Sequence, residues 1–93
     1  MPRHHYRITI ESLDDDSASP LGFDASTHDD LFRIVERTRS RGEFDSDGAA
    51  AFALGVKLFG EALMARKDLP HLAALAPHFG EFMRALKGGA PRD

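Results

Sequence analysis

The chain has 93 residues, 42% of them hydrophobic and 29% charged, with a formal net charge of −3 and neither Cys nor Trp. That size holds one modest core, so most apolar side chains are expected to be used in folding, and residues 1–93 read as one domain. Without Cys there is no disulfide scaffold, no thiolate metal site and no thiol nucleophile, which suits a reducing cytoplasm, and the negative balance argues against a general nucleic-acid coat.

Residues 4 to 13, "HHYRITIESL", alternate: Tyr6, Ile8 and Ile10 point one way, His5, Arg7, Thr9 and Glu11 the other. Period two with β-branched and aromatic residues predicts a half-buried strand. "DDDSASP" marks a loop, and "LGFDAS" alternates again through Leu21, Phe23 and Ala25. An N-terminal antiparallel β-hairpin is the economical reading. A lone two-stranded ribbon is marginal in water, so its apolar face must pack on something.

"STHDDLFRIVERTRSRG" predicts an amphipathic helix over about 28–41, with Leu31, Ile34, Val35 and Thr38 on one face and Phe32 at its flank. Ser26 or Thr27 is expected to cap it, with Asp29 or Asp30 in its first turn near the positive end of the helix dipole. Asp29, Arg33, Arg37 and Arg41 would form an i, i+4 row on the opposite side, and Gly42 is the natural stop.

A second helix is predicted over about 47–66, capped by Asp45, Ser46 or Asp47. Its main seam is Phe52, Val56, Phe59 and Leu63, with Ala51, Leu54, Leu58, Ala62 and Ala65 as a second line and Lys57 and Glu61 as a narrow polar strip. Such a helix is expected to be central. Gly55 and Gly60 make sense inside it if a neighbouring element packs closely there. Pro70 and Pro77 then predict a short helical turn near 71–75 and a separate helix over 77–87 starting at Pro77, with Leu75, Phe79, Phe82, Met83 and Leu86 as its buried stripe. The sum is an α+β domain of order ββααα with an ordered core of about 4–88 and a flexible tail at 89–93.

The chemical constellations are thin. Neighbouring side chains on a helix diverge by about 100°, so His28-Asp29-Asp30 is a poor metal site and a good helix start, and no H-E-x-x-H pair occurs. Asp14, Asp15 and Asp16 lack the alternating spacing and glycine of a calcium loop. No G-x-S-x-G elbow, phosphate-cradling glycine loop or dinucleotide fingerprint is present. The apolar run "AAAFALGV" falls far short of the roughly 20 residues that span a bilayer, and no signal-peptide run opens the chain. Two arrangements remain. Lys57, Glu61 and His78 could line a pocket for a ligand or a small enzyme, if a partner lies within hydrogen-bond reach. Arg33, Arg37 and Arg41 could meet phosphates, but Asp29, Asp30, Glu36 and Glu43 surround them and nucleic acid is not expected.

Taken together, "HHYRITI", "HDDLFRIVERTRSRGEFDSDGAAAFALGVKLFGEALM" and "PHFGEFMRALKGG" resemble the domain-of-unknown-function 3861 family of small bacterial proteins, over about residues 4 to 89. The resemblance implies a small, stand-alone cytoplasmic protein, and carries over no catalytic residue and no cofactor. The function expected is a non-enzymatic interaction or accessory role. A two-stranded ribbon has two open edges, so a homodimer or another protein partner through a hairpin edge is the expected association.

Overall fold

The structure is a computed structural model and describes residues 3–88. The tail expected at 89–93 lies outside the described residues. The element order is β1 (His4–Ile10), β2 (Leu21–Thr27), α1 (Leu31–Arg41), α2 (Ser46–Ala65) and α3 (Pro70–Gly88), an α+β arrangement in the order ββααα. The elements group into two compact units that divide after Asp30, a hairpin unit and a helical unit.

In the hairpin unit β1 and β2 pair antiparallel through seven consecutive partners, from His4 opposite Thr27 to Ile10 opposite Leu21. The register sorts the side chains as the alternation predicts. Tyr6, Ile8 and Ile10 stand across from Ala25, Phe23 and Leu21 on one face. His5, Arg7 and Thr9 stand across from Ser26, Asp24 and Gly22 on the other. The connection between the strands organises itself with its own polar groups. The Ser12 hydroxyl oxygen accepts from the backbone N–H of Asp14 (3.1 Å) and Asp15 (3.0 Å). The Asp15 carboxylate accepts from both the backbone N–H (3.0 Å) and the hydroxyl (2.6 Å) of Ser17. Those bonds hold the Asp15 carboxyl below its usual range and account for the acidic run as turn chemistry.

The start of α1 differs from the expected cap. The strand runs to Thr27 and the helix begins at Leu31, so Asp29 and Asp30 precede the first turn, which holds no acid. Ser26 and Thr27 are used otherwise. The Ser26 hydroxyl accepts from Arg3 Nε at 3.2 Å, and the Thr27 hydroxyl donates to the Asp29 carbonyl at 2.5 Å. Strand pairing claimed these residues before the helix could, because the hairpin register extends to Thr27. Asp29 thus lies ahead of the helix, four residues before Arg33, and not inside its first turn. The predicted inner face holds: Leu31 and Thr38 are buried, Ile34 and Val35 half-buried, and Phe32 is exposed at the flank. Thr38 satisfies its hydroxyl on the Ile34 carbonyl at 2.8 Å. Gly42 ends the helix at φ 75°, the left-handed conformation that glycine adopts without steric cost.

Asp45 is the N-terminal cap of α2, from an extended backbone (φ −70°, ψ 176°), accepting from the Gly48 N–H at 2.7 Å. Both other helices pack on α2. It is the neighbour of α1, and it meets α3 through aromatic edges: Phe59 with Phe79 at 5.6 Å and Phe52 with Phe82 at 6.4 Å between ring centres. Its sealed positions are Ala49, Ala53 and Leu63. Of the predicted seam only Leu63 is closed from water. Phe52 and Val56 are half-buried and Phe59 stays 40% exposed. Small side chains let a neighbouring backbone approach, and that approach seals the alanine face before the phenylalanine face. Gly60 fits the same logic, since a β-carbon there would stand 3.4 Å from the Phe79 ring, whereas Gly55 has open space beside it.

Two expectations are corrected here. α3 is one helix from Pro70 to Gly88 with Pro77 inside it, not a turn followed by a helix that starts at Pro77. A proline costs one intrahelical hydrogen bond and crowds the preceding turn, but the flanking turns and the ring contacts of Phe79 and Phe82 hold the helix together across it. No side chain of α3 is fully buried, so the expected stripe is only half covered, with Leu75 and Phe82 exposed. The second correction concerns length. At 20 residues α2 spans about 30 Å, so by length and composition alone it could cross a bilayer, although its longest uncharged apolar run is short. Lys57 and Glu61 sit within its second half.

Candidate functional site

The sites expected from the sequence sit as follows. Lys57 and Glu61 lie one turn apart on α2, both half-buried. His78 lies on α3 with a side chain about three-quarters exposed, its Nδ1 4.0 Å from Glu81 Oε1. A proton-transfer group at His78 would therefore work in open solvent, without the dry surroundings that sharpen acid and base strength. Among the described residues no three His, Cys, Asp or Glu side chains come together as metal ligands would.

Part of the arginine row is paired with carboxylates. Arg41 forks onto Glu43, Nε to Oε1 at 2.9 Å and Nη2 to Oε2 at 3.2 Å, and its Nη1 reaches the Leu86 carbonyl at 3.5 Å. This pairing holds the Glu43 carboxyl below its usual range. Arg39 reaches Glu36 and the Ser46 carbonyl. Arg33 and Arg37 are exposed, but two arginines beside paired neighbours make a narrow phosphate footprint.

The hairpin presents more. Its polar face carries the Arg7–Asp24 ion pair, directly across the two strands and well exposed. A shallow, open depression of about 410 Å³ surrounds this pair, lined by His5, Tyr6, Arg7, Asp24, Ala25 and Ser26. Arg7 and Asp24 neutralise each other there, which leaves the depression without a net charge to recruit an ion. Arg3, which the sequence pattern did not single out, clamps the open end. Its Nε and Nη2 donate to the Ser26 hydroxyl and carbonyl (3.2 and 2.9 Å), and its Nη1 lies 3.1 Å from His28 Nδ1. Only the strand register, which brings residue 4 opposite residue 27, makes that role visible.

The apolar face of the hairpin is open toward its turn. Ile10 is 54% and Leu21 58% exposed, and Phe23 is 40% exposed. Leu13 in the connection is almost wholly exposed. Among the described residues the sheet has the order β1-β2, so each strand has a strand neighbour along one edge alone. Along β1 the pairing runs without a bulge and residues 4–10 contain neither Pro nor Lys; the one charged side chain, Arg7, is paired with Asp24 across the ribbon. The arrangement is suited to holding a further strand.

Comparison with known proteins agrees with a fold of unassigned activity. A search of curated proteins finds no match. The crystal structure of a protein of unknown function from Pectobacterium atrosepticum is similar, with 33% sequence identity and a TM-score of 0.84, covering 91% of this chain and 97% of the other. The family model for the domain of unknown function DUF3861, a family with a solved structure, matches residues 4–88. With that match over nearly its whole length, the chain belongs to the DUF3861 family.

Proposed function

We propose that this protein is a non-enzymatic interaction or accessory protein that self-associates into a homodimer through an open edge of its hairpin. The observation that carries this reading is the two-stranded ribbon, seven pairs long and without a bulge, with exposed Ile10, Leu21 and Phe23. An unpaired row of backbone donors and acceptors next to apolar side chains gains both hydrogen bonds and burial when another strand adds to it. The absence of Cys and the charges within α2 support a protein that works in the cytoplasm, in solution.

Two differently tagged copies expressed together test the reading. Affinity capture of one tag is expected to retrieve the other in comparable amount at tens of micromolar. Retrieval of the captured copy alone, with both copies folded by circular dichroism, would overturn it.

A further inference from the structure

We infer that the second copy adds at β1 rather than β2, antiparallel, with the two-fold axis passing through Ile8. This rests on the homodimer reading above and specifies its edge and register.

β1 is the better edge by composition. Its Tyr6, Ile8, Thr9 and Ile10 favour a pleated, half-buried surface, whereas the β2 run contains Gly22, Asp24 and Ser26, which do not. Centring β2 on Asp24 would set two carboxylates face to face, and centring it on Phe23 would leave Asp24 opposite the bare backbone of Gly22.

Register follows from parity and charge. A two-fold axis perpendicular to the ribbon keeps the apolar faces continuous, so residues that oppose each other must both be even-numbered or both odd-numbered. The axis then falls on a residue. On Arg7 it would oppose two guanidinium groups, which is destabilising. On Thr9 it would pair only three strand residues across the axis. On Tyr6 it would leave Ile10, 54% exposed, without a partner. On Ile8 it opposes Ile8 with Ile8, Tyr6 with Ile10 and Arg7 with Thr9. It also sets His5 opposite Glu11, just beyond the strand end, where the charges are complementary when the histidine is protonated. The result is a four-stranded sheet in the order β2-β1-β1-β2 with one apolar face running across it.

The chain has no Cys, so introduced thiols report without background. Opposed residues in an antiparallel pair have Cα atoms roughly 4.5–5.5 Å apart, within the roughly 4.4–6.8 Å that a disulfide spans. Oxidised Ile8→Cys is expected to run as a covalent dimer. Ile8 is half-buried, so a pair of exposed positions guards against a folding defect. A mixture of Arg7→Cys chains and Thr9→Cys chains is expected to cross-link, while each alone stays mostly uncrosslinked. Cross-linking by Phe23→Cys in place of these would overturn the β1 assignment and leave the homodimer standing. A dimer by mass with no cross-link at any of these positions would overturn the assignment in the same way. A monomeric mass for the unmodified chain would remove both proposals together.

Discussion

Single residues set the boundaries of the helical unit. Asp45 is the clearest, because its carboxylate accepts from the Gly48 N–H at 2.7 Å at the start of α2. Asp45→Ala is expected to lower stability by about 1 kcal/mol, read as a lower urea midpoint with an unchanged slope. Acid sensitivity belongs to the same scale. Asp15, Glu43 and Asp68 each titrate below their ordinary range, chiefly through hydrogen bonds from Ser17, Arg41 and Arg66. A carboxyl whose folded pKa is lowered stabilises fully above the ordinary carboxylate range, and that contribution is lost as the pH falls through the lowered folded value. Stability is therefore expected to fall on acidification below the ordinary carboxylate range. Glu43→Gln is expected to make that fall shallower in a series of urea titrations; an identical pH slope would contradict the pairing. The effect is small, because these pairs lie near the surface.

At the scale of elements, what was legible in the sequence was whatever depended on local periodicity. The alternation of Tyr6, Ile8 and Ile10 against Leu21, Phe23 and Ala25 is the register observed, and the 3.6-residue pattern of Leu31, Ile34, Val35 and Thr38 is the inner face of α1. What failed depended on competition between elements. Ser26 and Thr27 look like helix caps, yet strand pairing takes them first. Pro77 looks like a helix start, yet neighbouring turns and aromatic contacts carry α3 through it. The second case is testable. Pro77→Ala restores an N–H that can bond to the Ala73 carbonyl and is expected to raise stability by up to about 3 kcal/mol, with stronger helical circular dichroism. A loss of stability would show that the proline ring is itself part of the packing. The Phe52 seam was misjudged for a related reason, since periodicity marks both faces of α2 as apolar but cannot say which of them a neighbour seals.

For the whole molecule, the sequence placed side chains on elements more readily than it located function. Lys57 and Glu61 lie one turn apart on α2, as their spacing predicts, whereas His78 stands well exposed on α3 with its Nδ1 4.0 Å from Glu81 Oε1. The open hairpin edge was legible as two strands with no third, but its exposed apolar end at Ile10, Leu21 and Phe23 required the folded chain. Association through that edge is the central claim, and sedimentation equilibrium of the unmodified protein at tens of micromolar tests it most directly. The expected result is a mass twice the 10.2 kDa of one chain, falling toward a single chain on dilution. A mass of one chain throughout that range would contradict it.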